Sequence, residues 1–199
     1  MNEENPLRDQ ILDISRHMLF EDGYTSLSMR KIAKQADVSA TSIYLYFENK
    51  DHLLHTLIEE SVEDLSLFIE SKALPVTENI ERLTKIIESY VDFALQYPEK
   101  YEIIYKVRPE LMARYPKEKF RKARRAYELL VKTIEESVLE GDMEVEKPLV
   151  AAYSIWAQLH GVVSVVLNKR LDSRINQKQF IEDSIEHVVQ GFLVRTTVS

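Results

Sequence analysis

Side chains able to do chemistry are few in this sequence and lie far apart. The chain has no cysteine among its 199 residues, which excludes disulfides, thiolate zinc sites and cysteine nucleophiles. His52, His55 and Glu59 fall at positions i, i+3 and i+7 of a predicted helix, within reach of one metal ion. No further histidine is clustered with them, so we interpret them as part of an ordinary helix. Without a nucleophile–base pair or a glycine-rich phosphate loop, the sequence predicts no catalytic residue, no metal and no cofactor.

A more informative group of side chains lies in residues 28–50. Two short predicted helices, at 29–36 and 40–47, flank a tight turn at 37–39. A helix, a tight turn and a second helix of about two turns are the geometry of a helix-turn-helix, whose second helix enters the DNA major groove. The spacing therefore predicts a DNA-reading unit, although an ordinary three-helix packing unit has the same pattern.

The second of these short helices is predicted to be anchored in the core by Ile43 and Phe47, which leaves its other side chains facing outward. Small and hydroxyl side chains at its start would approach base edges closely, and Leu45 would pack on a thymine methyl group. Tyrosine hydroxyls would reach phosphate oxygens. The predicted DNA-contacting side chains of this region are Ser39, Ala40, Thr41, Ser42, Tyr44, Leu45 and Tyr46.

Charge supports DNA binding only weakly. The whole chain carries a formal net charge of -7, and an acidic chain must concentrate its positive charge locally to bind nucleic acid. Residues 28–50 hold four basic and two acidic side chains, whereas residues 1–27 hold two basic and six acidic ones. Few phosphate contacts per subunit imply that useful affinity needs two subunits. A helical protein-interaction module that has lost DNA binding is the alternative.

The elements around this region are predicted to be helical throughout. Glycine is scarce, with four residues, helix-forming residues are abundant, and no segment alternates like a strand. The predicted fold is all-α: a three-helix, helix-turn-helix DNA-binding domain at residues 1–54, then a larger helical effector-binding and dimerisation domain at 55–199. The predicted helices span residues 7–22, 29–36, 40–47, 51–74, 77–97, 101–107, 117–139, 148–168 and 179–194.

The N-terminal residues resemble the TetR family of bacterial regulators, without gaps from about Ile11 to Leu54. The residues that carry the resemblance are Ile11-Leu12-Asp13, Gly23-Tyr24, Ser28-Met29-Arg30-Lys31-Ile32-Ala33, Val38-Ser39, Ile43-Tyr44-x-Tyr46-Phe47 and Asn49-Lys50-Asp51-His52-Leu53-Leu54. The resemblance implies a DNA-binding transcriptional regulator. It also implies that Ser28 and Arg30 touch the DNA backbone, that Tyr44 contacts a phosphate and that Lys50 grips another.

This chain departs from the usual family pattern at three places. Asp37 stands where glycine is usual in the turn, and aspartate tolerates the left-handed backbone conformation. Thr41-Ser42 replaces Gly-Thr early in the recognition helix, so the operator cannot be inferred from the family. Leu27 stands where threonine is common, which removes one phosphate contact.

The C-terminal part resembles a ligand-sensing and dimerising domain, in a subgroup with the pattern Trp156-x-x-x-His160-Gly161. Aromatic rings with a few polar groups are typical of small-molecule pockets. The alternative is that these rings simply fill the core. The predicted effector-binding residues are Tyr90, Phe93, Tyr97, Tyr101, Tyr105, Tyr153, Trp156 and His160.

Residues 149–167 contain no charged side chain, and this length is near that of a membrane span. Polar side chains interrupt the stretch, so we expect a helix buried in protein and no membrane partner. Small residues on this helix and an apolar face on the last helix predict a four-helix interface in a two-fold homodimer; burial inside a monomer is the alternative. The predicted interface residues are Ala157, Gly161, Ser164, Ile181, Ile185, Val188 and Phe192.

Together these features predict a homodimeric, ligand-released repressor that binds a palindromic operator and responds to a small apolar or amphipathic effector. The acidic N-terminus lacks the features of a secretory signal, and the absence of cysteine fits a reducing cytoplasm. A basic run at residues 117–125 could bind an anion or DNA, but we interpret it as the solvated face of a long helix. A small-molecule enzyme is the remaining alternative.

Overall fold

The computed structural model describes residues 6–106 and 125–194, in which helices are joined by turns and loops and no strand is present. The predicted all-α fold is confirmed. The basic run at 117–125 lies outside the described residues except for Arg125. The helices of the described part are α1 Pro6–Asp22, α2 Met29–Gln35, α3 Ala40–Tyr44, α4 Lys50–Ala73, α5 Asn79–Gln96, α6 Pro98–Lys106, α7 Arg125–Glu140, α8 Pro148–Leu167 and α9 Gln177–Gln190.

The chain forms two compact units, and α4 runs from one into the other. Of the described residues, the first unit comprises 6–63 and 97–106, and the second comprises 64–96 and 125–194. The first unit therefore includes the beginning of α4 and all of α6, in addition to the three helices of the predicted DNA-binding domain. The predicted functional boundary after residue 54 stays a prediction, because compactness alone does not show where DNA binding ends.

The first unit has one apolar core, to which α1, α2, α3, α4 and α6 contribute. The predicted anchors Ile43 and Phe47 are buried in it, so one face of α3 is held against the rest of the unit. Ile103 brings α6 into the same core. The imidazole Nδ1 of His17 on α1 lies 3.3 Å from a carboxylate oxygen of Glu99 on α6. This assembly fixes α3 and the start of α4, which carry most of the candidate site.

Local capping explains where the short helices begin. The Ser28 hydroxyl accepts a hydrogen bond from the Lys31 N–H at 3.2 Å, and the Ser39 hydroxyl accepts one from the Ser42 N–H at 3.1 Å. Each serine thereby satisfies a backbone donor that the helix itself leaves without a partner. At the other end of α1, Gly23 adopts φ 77°, a conformation that glycine reaches without steric cost.

Several helix boundaries differ from those predicted, and three of them concern the candidate residues or their neighbours. Helix α3 ends at Tyr44, and residues 45–47 continue as tight turns. Helix α6 begins at Pro98, because proline is well suited to the first turn of a helix. Helix α9 ends at Gln190, so the predicted interface residue Phe192 follows the helix. There the chain turns back, and the Val194 N–H donates to the Asp142 carbonyl at 3.1 Å.

In the second unit, α5, α7, α8 and α9 pack on one another. Helix α8 is buried along one side only, through residues such as Ala152, Ile155 and Leu159. By length and composition α8 is the one helix of the described residues that could cross a membrane, and 33% of its apolar window is buried inside the protein. Core helices of soluble proteins meet the same criterion.

Candidate nucleic-acid interface

The outward side of α3 and the turn after it present side chains to solvent. Leu45 is 79% exposed and Tyr44 is 52% exposed, whereas Ile43 between Ser42 and Tyr44 is fully buried. Thr41 is exposed as well. An exposed leucine beside an exposed tyrosine and a threonine can pack on a thymine methyl group and donate hydrogen bonds to DNA. Thr41, Tyr44 and Leu45, three of the predicted DNA contacts, are therefore accessible on the outward side of α3 and the turn after it.

The start of α3 is more constrained than the sequence indicated. The hydroxyls of Ser39 and Ser42 lie 2.9 Å apart, and the Ser39 hydroxyl also accepts from the Ser42 N–H. The hydroxyls of Ser39 and Ser42 therefore take part in the cap, and Thr41 presents a further exposed hydroxyl at this end of the helix. Ala40 and Tyr46 are half-buried and pack against the apolar core.

The turn between the two short helices adopts the conformation expected from its sequence. Asp37 has φ 54°, in the left-handed region where glycine is usual and aspartate is tolerated. The Val38 N–H then donates to the Ala33 carbonyl at 3.0 Å. Aspartate therefore replaces the family's usual glycine without preventing the turn.

Helix α2 and its cap residue present a second polar surface. Arg30, Lys31 and Lys34 are exposed, and Ser28 is half-buried in its capping position. Three cations on a helix of seven residues can attract DNA phosphates. This surface contains the Ser28 and Arg30 contacts predicted from the family resemblance.

Lys50 makes a contact that sequence reasoning missed. Its Nζ donates a hydrogen bond to the Tyr24 carbonyl at 2.7 Å and lies 3.7 Å from the centroid of the Tyr24 ring. Burial lowers the pKa of the Lys50 ammonium from its usual value, and the neighbouring Asp51 carboxylate partly opposes this shift. Tyr24 is 26 residues earlier in the chain, so no local sequence pattern could have revealed the pair.

The predicted effector-binding residues do not all belong to one unit. Tyr90 and Phe93 on α5 are buried in the second unit, where the Phe93 ring packs edge-on against Phe68 with centroids 5.8 Å apart. The residues that follow, Tyr97 and those on α6, belong to the first unit. Of these, Tyr101 is buried, Tyr105 is half-buried and Tyr97 is 37% exposed.

The remaining three predicted effector residues form a row of rings on α8. Tyr153 packs edge-on against Tyr127 of α7 at 5.0 Å and against Trp156 at 6.3 Å. Trp156 is stacked on His160, with centroids 5.6 Å apart and ring planes 25° apart. Burial lowers the pKa of the His160 imidazole below its usual value of 6.5. The neutral ring is therefore favoured at neutral pH.

Two comparisons of the sequence with known families cover most of the described helices. Residues 11–57 match the family described as "Bacterial regulatory proteins, tetR family", and residues 83–192 match "Tetracyclin repressor-like, C-terminal domain". The second match alone spans more than half of the chain. The protein belongs to the TetR family. Its members are DNA-binding transcription regulators rather than enzymes, so the enzyme alternative is wrong.

Curated relatives match part of the protein. A fatty acid metabolism regulator protein of Bacillus subtilis is 34% identical over 93 residues, which are 45% of this chain and 46% of that protein. An HTH-type transcriptional regulator of Haemophilus influenzae is 48% identical over 48 residues, or 24% of this chain and 26% of that protein. The matched stretch thus spans at most about half the length of these curated relatives.

Solved structures share the fold over nearly the full length. A protein from Rhodococcus sp. RHA1 has a TM-score of 0.80 at 21% identity, covering 97% of this chain and 98% of that one. The regulator FadR from Bacillus subtilis, in complex with stearoyl-CoA, has a TM-score of 0.71 at 23% identity, covering 92% and 98%. At these identities the likeness concerns the fold.

On this TetR-family protein, α8 turns an uncharged side to solvent. Leu149, Val150 and Tyr153 are each more than half exposed, and the small residues Ala157 and Gly161 are exposed one and two turns further along. The predicted interface residues on α9, Ile181 and Ile185, are half-buried, and Val188 is buried. Ser164 and Phe192 are half-buried. The exposed residues Leu149, Val150, Tyr153, Ala157 and Gly161 are called the outer face of α8 below.

Among residues 6–106 and 125–194, no group of three histidine, aspartate or glutamate side chains is placed to hold a metal ion. His52 instead completes a local turn, because its Nδ1 accepts a hydrogen bond from the Glu48 N–H at 3.2 Å. Its ring also packs edge-on against Phe47 at 5.8 Å. These contacts account for His52 at the start of α4 without a ligand.

Proposed function

We propose that this regulator is a homodimeric repressor that binds a palindromic operator and is released from it by a small effector. The observation that carries the proposal is the exposed α3 surface, on which Leu45 is 79% exposed while Ile43 of the same segment is fully buried. An exposed leucine contributes little packing energy in the protein without DNA. On DNA, the same side chain can pack on a thymine methyl group in the major groove.

The proposed DNA contacts fall into two classes. Ala40, Thr41 and Leu45 face base edges and determine sequence preference, because short and apolar side chains approach bases closely. The other contacts position the protein on phosphates and carry little sequence information. Those positioning residues are Ser28, Arg30, Ser39, Ser42, Tyr44, Tyr46 and Lys50.

The outer face of α8 supports the proposed homodimer. Contiguous apolar surface on a soluble protein usually marks an interaction site, and the absence of charge on α8 suits a two-fold contact of the helix with its own copy. We include Ser164, Ile181, Ile185, Val188 and Phe192 in this interface, as adjoining residues of α8 and α9. A two-fold axis would place the recognition helices about 34 Å apart, which implies a palindromic operator.

The proposed effector is apolar or amphipathic and binds in the effector domain, which we place at residues 55–199, after the DNA-binding domain at 1–54. The rings of Tyr90, Phe93, Trp156 and His160 supply apolar surface there. The remaining proposed effector residues are Tyr97, Tyr101, Tyr105 and Tyr153. The FadR structure with stearoyl-CoA makes acyl-CoA thioesters the first compounds to test.

The effector would act through α4. This helix begins at Lys50, shortly after the recognition helix α3, and its last residues belong to the second unit. A shift of its far end would change the orientation of its start. That change would alter the separation of the two recognition helices in the proposed dimer. A coupling of about 1–3 kcal/mol, which is typical of allostery, would weaken DNA binding roughly 5- to 150-fold.

We place this regulator in the cytoplasm with the DNA it binds.

Selection of bound duplexes from a random pool, at two salt concentrations, tests the DNA-binding part of the proposal. We expect enrichment of a palindrome whose half-sites lie about one helical turn apart. The variant Leu45→Asn is selected in parallel, because it alters the exposed base-reading position without changing the charge of the protein. We expect it to enrich a different half-site. Enrichment of non-palindromic sequences, or none at the lower salt concentration, would contradict the proposal.

The enriched duplex then serves as the probe for the effector. Stearoyl-CoA, coenzyme A and stearate are titrated separately into the protein–DNA complex, and release is followed by fluorescence anisotropy. Release by the thioester but not by coenzyme A would support an amphipathic effector bound through its chain. If neither the thioester nor stearate changes the affinity, this class of effector is excluded while the DNA-binding result stands.

A further inference from the structure

The connection between α1 and α2 is held by contacts that converge on two residues, Gly23 and Tyr24. The Gly23 N–H donates to the Leu19 carbonyl at 3.1 Å, and the Ser26 N–H and hydroxyl donate to the Gly23 carbonyl at 3.3 and 2.8 Å. The remaining contact comes from far along the chain, where the Lys50 ammonium donates to the Tyr24 carbonyl at 2.7 Å. The loop is therefore closed by its own turn and tied to the first residue of α4.

Lys50 holds Tyr24 at two points. Its ammonium has three N–H donors; one is directed to the Tyr24 carbonyl, and the same ammonium lies 3.7 Å from the centre of the Tyr24 ring. The face of an aromatic ring attracts a cation, and more strongly when the pair is partly removed from water. Lys50 and Tyr24 are both half-buried. We name this pair of contacts the Lys50–Tyr24 clasp.

The clasp connects the first residue of α4 to the segment that precedes α2. Tyr24 precedes the α2 cap residue Ser28 by four positions, and Leu27 between them is buried in the core. Lys50 is the first residue of α4. A shift of the start of α4 therefore pulls directly on the segment that leads to Ser28 and Arg30.

We propose that Lys50 is a positioning residue: its clasp on Tyr24 fixes the α1–α2 loop to the start of α4 and so holds the α2 N-terminus in the orientation that binds DNA. This role is separate from a phosphate contact by the same side chain. The ammonium has further N–H groups, so Lys50 can hold Tyr24 and donate to a phosphate at the same time.

The two roles make different predictions for a variant that leaves Lys50 in place. Tyr24→Leu removes the ring but keeps the lysine charge and the backbone carbonyl. If Lys50 positions the loop, this variant weakens binding to the selected duplex about 5-fold and leaves the slope of log Kd against log salt unchanged, because no phosphate contact is lost. Tyr24→Phe, which keeps the ring, retains wild-type affinity. Lys50→Met loses affinity and also reduces the salt slope by about 1.

Two measurements without DNA separate this proposal from the DNA-binding proposal. In the wild-type protein, the ε-methylene protons of Lys50 should show an NMR ring-current shift from Tyr24 that disappears in Tyr24→Leu. The amides of residues 26–32 should also exchange faster with solvent in that variant, while those of α5 and α7 keep their protection. Wild-type protein suffices for the first test if Tyr24→Leu does not fold.

Three results would overturn the proposed positioning role of Lys50. One is the absence of a ring-current shift on Lys50 in the wild-type protein. Another is unchanged exchange at residues 26–32 in Tyr24→Leu. The third is wild-type DNA affinity of Tyr24→Leu together with loss of affinity in Lys50→Met, which would reduce Lys50 to a phosphate contact alone.

Discussion

Substitutions of Gly161 can distinguish the stability of one subunit from its proposed association with a second copy. It lies on the outer face of α8, and a Cβ added there meets no atom within 4 Å. In a single subunit Gly161→Ala therefore places a methyl group in open space. Since glycine in a helix interior costs about 0.8–1.0 kcal/mol relative to alanine, the substitution should stabilise the subunit by about that amount.

A larger side chain at position 161 should weaken the proposed dimer. If a partner helix packs closely against Gly161, Gly161→Leu inserts four carbons into a filled space, and overpacking costs about 1–3 kcal/mol. A two-fold interface contains each position twice, which doubles the cost to about 2–6 kcal/mol. The dissociation constant of the dimer should rise roughly 30-fold to 20,000-fold.

Analytical ultracentrifugation over a dilution series measures the dimer constant, and denaturant unfolding measures stability. The matched control is Glu135→Leu, which adds a leucine at an exposed position of α7 outside the proposed interface and should leave the dimer intact. A Gly161→Leu protein that dimerises like the wild type would refute the assignment of the outer face of α8 to the interface.

Three further outcomes follow from single side chains. Leu45→Ala should change unfolding free energy by less than about 0.5 kcal/mol yet alter the selected half-site; an unchanged half-site would remove Leu45 from base reading. Ser66 is 1% exposed, and within the described residues its hydroxyl has no hydrogen-bond partner, so Ser66→Ala should stabilise by about 1 kcal/mol or more. Ser61→Ala, which loses a bonded hydroxyl, should destabilise, and equal denaturation midpoints would contradict this. The fluorescence of Trp156, the single tryptophan, should fall as the stacked His160 protonates, with a midpoint below pH 6.5 because burial lowers that pKa. The same depressed pKa means that stability declines as pH falls through and below 6.5; His160→Gln should abolish the fluorescence step, and a midpoint above 6.5 would exclude the assignment.

The helix-turn-helix could be predicted from sequence because its determinants are local. A cap serine bonds to an amide three residues later, as Ser28 and Ser39 do. The left-handed backbone of Asp37 is expected from the glycine that the family usually has there and from the tolerance of aspartate for that conformation. Ile43 and Phe47 follow from helical spacing. Each of these inferences uses fewer than about eight consecutive residues, so a single sequence contains all the information needed.

Features that depend on long-range packing could not be predicted in this way. The sequence predicts a short helix at residues 101–107, where the structure has α6, but nothing in that pattern shows that Ile103 joins the core of the first unit. The aromatic residues assigned to one effector pocket were grouped by type, and they divide between two units. Apolarity also left the environment of α8 open, because an uncharged helix can be buried in a core or can expose one face for a partner.

Helix α4 has the continuity and the length that the proposed coupling would require. It is one uninterrupted helix of 24 residues, about 36 Å long at 1.5 Å per residue, so a tilt of about 5° displaces one end by roughly 3 Å relative to the other. Interfaces of packed helices switch with shifts of about 1–2 Å, so such a tilt is large enough to matter. The Lys50–Tyr24 clasp would convert that displacement into movement of the segment before Ser28. The proposed coupling would therefore need one continuous helix and one two-point contact at its end rather than a long chain of coupled side chains.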